Sequence, residues 1–298
     1  MKIAVTGASG LIGSALVPAL RADGHEVVRL VRRAPAAPDE VQWDPAAGTV
    51  DRAGLEGVQG GIHLAGAGVG EHRWTDSYKR VIRDSRADGT RTFSAALAAL
   101  DPLPSVLLSG SAIGYYGDTG DRAVDESAPA GSDFLARVCV DWEASTAAAE
   151  AAGIRVVHLR TGLVMSPKGG ALQRMLPLFR LGVGGKLGSG RQYWSWITLA
   201  DEVGAIRHLL TAQQTSGPVN LTAPTPVTNA EFTRALAQVL HRPALLPAPA
   251  FALKAVLGEF SHDVLGSQRV LPRALEASGY AFAEPELVPA LRSTVAAA

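Results

Sequence analysis

Two periods of apolar residues alternate along the chain. Ile3, Ala4 and Val5 form a continuous apolar run suited to a buried strand, and Leu11, Ile12, Ala15, Leu16 and Leu20 then recur at helical spacing. The same alternation continues. Strands are predicted at 26–31, 61–67, 106–108, 154–159, 193–197 and 219–221, and a small hairpin or irregular excursion at 41–50. Helices are predicted over 74–100, 172–181, 201–210 and 228–240, with one more capped by Ser132 and running through Trp142 to Ala152. Thr228 and Glu231 stand at capping-box spacing. Strands alternating with helices predict an α/β fold, a doubly wound parallel sheet covered on both faces. Three prolines between His241 and Pro249 mark a boundary. It separates a main domain, 1–240 with substrate-side insertions at roughly 165–200, from a smaller C-terminal α+β subdomain, 241–298.

Composition narrows the picture. Lysine plus arginine equals aspartate plus glutamate, 28 each, so no net charge suggests nucleic acid or an anionic membrane as partner. Cys139 is the single cysteine, which excludes an intrachain disulfide and a zinc–cysteine cluster; no metal is expected. No apolar run reaches the roughly 20 residues of a spanning helix, and Met1-Lys2 leads directly into a core strand, so a cytoplasmic protein is expected.

The chemistry starts at Gly7, Gly10 and Gly13, between the first strand and the first helix. In that context the first glycine permits a tight turn, the second admits a diphosphate, and the third lets helix and strand pack closely. Gly7, Ser9, Gly10, Leu11, Ile12 and Gly13 are therefore expected to cradle a dinucleotide at a helix N-terminus. Arg32 and Arg33 end the second strand, where an NAD-binding chain places a carboxylate for the ribose 2′-hydroxyl; two arginines suit the 2′-phosphate of NADP. Leu64, Ala65 and Gly66 leave the third strand on the ligand side, as does Leu163 after the fifth. His63 precedes that turn and is expected as a paired, buried histidine. Ser111, Tyr115 and Tyr116 follow the fourth strand, where chemistry on a bound nicotinamide would occur.

These stretches, with Gly89-Thr90, Glu126-Ser127-Ala128-Pro129 and Trp196-Ile197-Thr198-Leu199-Ala200-Asp201, resemble the extended short-chain dehydrogenase/reductases over roughly residues 1–240. The resemblance implies a Rossmann-type fold. More narrowly, Ser111-Ala112-Ile113-Gly114-Tyr115-Tyr116-Gly117, Asp141-Trp142-Glu143 and Ser267-Gln268-Arg269-Val270-Leu271-Pro272 resemble an atypical epimerase-family subgroup. That subgroup is named after nucleoside-diphosphate sugar epimerases and carries a small C-terminal domain of unknown function. The superfamily's Tyr-x-x-x-Lys pair is absent: it would fall near Leu135 and Cys139. Arg86 replaces the asparagine of the Asn-x-x-Gly-Thr pattern and is expected to reach the cofactor.

Two function classes follow. One is an NADP-dependent oxidoreductase or epimerase acting on a small carbonyl or hydroxyl compound that the sequence does not identify. Ser111 would orient the substrate in it, and Tyr116, or else Tyr115, would serve as acid/base. The other is a non-catalytic NADP-binding sensor or partner-binding protein. The first is favoured because hydride transfer belongs to the cofactor and tolerates varied acid/base groups. Cys139, in an apolar helix, reads as inert core.

Overall fold

The computed structural model describes residues 1–297. Its centre is an eight-stranded sheet of β1 (Lys2–Thr6), β2 (Glu26–Val31), β3 (Glu40–Asp44), β4 (Thr49–Val50), β5 (Gly60–His63), β6 (Val106–Ala112), β7 (Arg155–Thr161) and β8 (Gly217–Leu221). The spatial order is β8-β7-β6-β5-β1-β2-β3-β4, parallel except for the β3–β4 hairpin. Successive residues of each strand serve opposite faces. Ile3, Val5, Val106 and Leu108 pack with Leu16, Leu20, Ile206 and Leu209, while Ala4 and Leu107 pack with Phe93 and Leu97. Burial on both faces is why these strands read as unbroken apolar runs.

Helix α1 (Leu11–Ala22) joins β1 to β2 on one side, and α2 (Asp76–Ala98) joins β5 to β6 on the other. Chain order therefore reverses between β1 and β5, and the turns leaving them diverge to open a crevice at the carboxyl ends of the strands.

Several expectations need correction. The helix assigned to a Ser132 cap begins instead at Asp133, whose side chain accepts from the Ala136 N–H at 2.9 Å. This helix, α3 (Phe134–Ala144), stops before Ala152. The Ser145 hydroxyl donates to the Asp141 carbonyl and the Thr146 hydroxyl to that of Glu143, back-bonding that ends the run before a second short helix, Ala147–Ala151. The strand expected at 193–197 is two. Tyr193–Trp194 pairs with Val227–Thr228, and Trp196–Thr198 pairs with Leu163–Met165. Between them the Ser195 hydroxyl donates to the Gln268 carbonyl at 2.7 Å, so the chain changes partners there. The capping box at Thr228 and Glu231 forms as expected.

Beyond residue 240 the chain consists of short helices joined by irregular loops, with one short strand, Arg269–Val270, which pairs with Ala123–Val124. It has no core of its own. Leu275 joins the cluster beneath the main sheet, and Ala290 and Leu291 pack with Trp196 and Phe232.

Glu202 enters the core at the start of α4 (Leu199–Thr211), fully buried. Its Oε1 accepts from the Thr161 hydroxyl at 2.8 Å, and Oε2 has no partner among the described residues. Burial pushes its pKa up to about 8, against the pull of Thr161. In the unfolded chain it ionises in the ordinary carboxylate range, so its contribution to stability is complete in acid and lost as pH rises toward about 8. Glu202→Gln is expected to flatten the fall of unfolding free energy between about pH 5 and 8. Urea unfolding across that range checks this; an unchanged slope would refute it.

Candidate dinucleotide and substrate cleft

The glycine turn has the geometry its spacing implies. Gly7 has φ +68°, and a Cβ there would lie 2.6 Å from the Leu64 carbonyl carbon. A Cβ on Gly13 would lie 2.2 Å from the Gly7 oxygen, so only glycine lets α1 seat against the turn. Gly10 differs: its nearest obstacle is the Gly7 oxygen at 3.3 Å, and the residue is exposed beside Ser9. Gly10 also caps α1 without a side-chain hydrogen bond, and no acidic residue occupies the first turn. The first N–H groups of α1, at Leu11, Ile12 and Gly13, thus lack a side-chain cap next to open space, the arrangement that holds a diphosphate.

At the end of β2 the two arginines separate in role. Arg33 makes two 2.7 Å bonds to the Glu40 carboxylate, whereas Arg32 is exposed and has no side-chain partner among the described residues. The turn after β5 is fixed by Thr6, whose hydroxyl accepts from the Leu64 and Ala65 N–H groups and lies 2.8 Å from His63 Nδ1. His63 is fully buried and held neutral, its pKa pushed down to about 3 by burial and then by Arg86. It is the paired core histidine expected.

Arg86 reaches from α2 onto this same turn. One Nη donates to the carbonyls of Ala67 (2.9 Å) and Ile82 (3.0 Å), the guanidinium lies 5.0 Å from the Trp142 ring, and a Cβ on Gly66 would touch it. No carboxylate pairs with it among the described residues, and burial lowers its pKa. Leu135 and Cys139 face Gly114 from α3. The Cys139 thiol is buried against the Ala112 carbonyl, and its pKa is pushed up to about 12. Neither residue offers a mobile proton near neutral pH. Leu163 lies half-buried where its N–H donates to the Ser195 carbonyl.

After β6 the chain turns tightly. Ile113–Tyr116 is a 3₁₀ turn, so adjacent side chains do not alternate between faces. Tyr116, expected to face the cleft, is instead the buried member: its hydroxyl donates to Asn220 Oδ1 at 2.8 Å and accepts from Arg160 at 2.9 Å. Burial outweighs Arg160 and pushes its pKa up to about 12. Tyr115, the alternative acid/base, keeps accessible surface, its ring stacked 3.4 Å from the Arg160 guanidinium. The Ser111 hydroxyl donates to Glu143 Oε1 at 2.7 Å.

These bonds join one buried network. Arg160 grips both Glu143 oxygens at 2.8 and 2.9 Å, and Asn220 donates from its side chain to the Leu271 carbonyl and from its backbone to Glu126. Burial opposes ionisation of Glu143, but Arg160 overcomes it and holds the carboxyl below its usual range. Glu143, Arg160, Asn220 and Glu126 were not candidates on sequence grounds. Glu143 and Leu271 do sit in stretches that carry the subgroup resemblance; Asn220 has no local signal. Tyr116→Phe strands Asn220 Oδ1 and an Arg160 N–H, and is expected to cost about 1–3 kcal/mol of stability. Denaturant unfolding checks this, and a variant as stable as the parent would refute it.

Comparison with known proteins agrees with this geometry. The NAD dependent epimerase/dehydratase family matches residues 3–222, and a domain of unknown function, DUF1731, matches 248–294. An epimerase family protein of Mycobacterium bovis is 50% identical over 281 residues, covering 94% of this chain and 93% of its own. The human epimerase family protein SDR39U1 is 35% identical over 300 residues, 99% and 100% of the two chains. A crystal structure of human SDR39U1 (isoform 2) with NADPH superposes with a TM-score of 0.90 at 32% identity, covering 99% of each chain.

Proposed function

We propose a cofactor-linked reaction for this chain, which belongs to the NAD dependent epimerase/dehydratase family. It is an NADP(H)-dependent oxidoreductase or epimerase acting on a small carbonyl or hydroxyl compound without the Tyr-x-x-x-Lys pair. The observation that carries this reading is the glycine turn. Gly10 leaves open the space that Gly7 and Gly13 close, and Arg32 at the strand end beyond has no side-chain partner among the described residues. NADPH in the crystal structure of the human relative supports the choice of nucleotide.

The residues present fit the cofactor. The first turn of α1 would hold the diphosphate, Arg32 the 2′-phosphate, and the Leu64–Gly66 backbone would line the nucleotide. Arg86, docked on that turn, would add positive charge beside it. When bound, the cofactor supplies or accepts hydride. Of the two phenols, Tyr115 is the one positioned to exchange a proton with substrate, since Tyr116 is spent on Asn220 and Arg160. Ser111, committed to Glu143, shapes the floor of the site. Without a lysine to activate the phenol, turnover should be slower by something like 10²–10⁴-fold than with a matched acid/base.

Arg32→Ala is expected to erase a preference for NADPH over NADH worth about 1.5–3 kcal/mol, while Arg86→Ala weakens both alike. Fluorescence titration decides it; parent curves that coincide for the two nucleotides would refute the assignment. Tyr115→Phe is expected to remove most NADPH oxidation across a panel of aldehydes and ketones without lowering stability. Tight NADPH binding with no oxidation of any carbonyl by the parent would favour the sensor reading, which the inert Leu135 and Cys139 also fit.

A further inference from the structure

Ten large hydrophobic side chains are exposed among the described residues, and seven fall within 178–183 and 245–256. Leu181 (76%), Leu245 (80%), Phe251 (76%) and Val256 (74%) are the most prominent. The two segments run side by side. The Arg242 side chain donates to the Arg180 carbonyl, the Leu246 N–H to Gly184, and the Ala248 N–H to Lys186. The helix that follows, Ala250–Leu257, reads AFALKAVL yet has no buried residue. So apolar a helix is normally core; here it faces outward.

Charge on this face is one-sided. Residues 166–192 and 240–258 contain seven lysines and arginines and no aspartate or glutamate, so the rest of this neutral chain is net acidic. Arg180, Lys186, Arg242 and Lys254 are exposed, and none is in an ion pair among the described residues. Glu259, just past the helix, is taken up by Lys79. Whole-chain neutrality, which gave no reason to expect an anionic membrane as partner, hides this asymmetry.

We propose that this face docks on an anionic lipid surface, with Leu181, Leu245, Phe251 and Val256 entering the headgroup region and the four cations meeting lipid phosphate. Basic and bulky apolar side chains on one surface are the signature of interfacial binding. A second copy is disfavoured because a two-fold contact would set like charges against each other. A docked peptide is disfavoured because side chains three-quarters exposed project from the surface and do not line a groove.

The full chain should sediment with vesicles of phosphatidylcholine and phosphatidylglycerol and stay in solution with phosphatidylcholine alone. Phe251→Ser with Leu245→Ser should lower vesicle affinity about tenfold or more. Arg242→Glu with Lys254→Glu should do the same, and so should raising salt from about 0.05 to 0.3 M. Unchanged thermal unfolding and nucleotide binding would show that both variants are folded. Absence of the parent from the anionic vesicles overturns the proposal. So does a concentration-dependent dimer that the serine substitutions dissociate, which would assign the face to a second copy.

Discussion

The Glu143–Arg160 pair is the constraint on which the arrangement around the cleft depends. Its partners come from α3 and β7, and through Ser111, Tyr116 and Asn220 it reaches β6, the 3₁₀ turn and β8. Desolvating two charges is expensive, and the pair is sustained because both carboxylate oxygens and three guanidinium nitrogens have partners. Removing one member would leave a buried charge and typically costs 3–5 kcal/mol. Apolar side chains could fill this volume at less cost in solvation. They would not fix the direction of Ser111, bury one tyrosine and leave the other free.

The C-terminal segment belongs to the same argument. Asn220 bonds the Leu271 carbonyl, and Asp201, at the head of α4, accepts from the Tyr280 hydroxyl and from the N–H groups of Ala283 and Glu284. Ser195 is held by Gln268 and Val270. The C-terminal segment is thus tied to the main body at several points along its length. Its buried apolar side chains Leu275, Ala290 and Leu291 pack into clusters shared with residues before 240. Without it Asp201 would lose Tyr280, Ala283 and Glu284, and Asn220 would lose the Leu271 carbonyl.

What was legible in the sequence has a common origin. The strands, α1, α2 and the glycine turn follow from local patterning: apolar runs, helical spacing, and a residue type that only certain backbone geometries demand. Gly7 and Gly13 could be read because a Cβ at either would collide with backbone. Tyr116 was misread because its orientation depends on a single 3₁₀ turn, and because its partners, Arg160 and Asn220, lie 44 and 104 residues away. The break after Ala144 turned on two hydroxyls returning to their own helix. The strand expected at 193–197 failed for a similar reason, since Ser195 takes partners more than 70 residues along the chain. Long-range hydrogen bonds leave no periodicity, so no local pattern announces them.

The cleft has lost a proton donor and holds a cation where the superfamily pattern has an amide. Leu135 and Cys139 cannot supply a proton, while Arg86 remains charged at any physiological pH despite its burial. Its fixed bonds use one Nη on two carbonyls; Nε and the other Nη make no bond among the described residues. A guanidinium desolvated without a carboxylate has electrostatic free energy to recover when an anion or a developing alkoxide comes near. Stabilising negative charge on oxygen is an alternative to protonating it. In a hydride-transfer site of this kind the guanidinium would stabilise developing negative charge beside the proton exchange assigned to Tyr115. Ala67, Ile82 and Trp142 hold Arg86 in place, on the side of the crevice where the Leu64–Gly66 turn leaves β5.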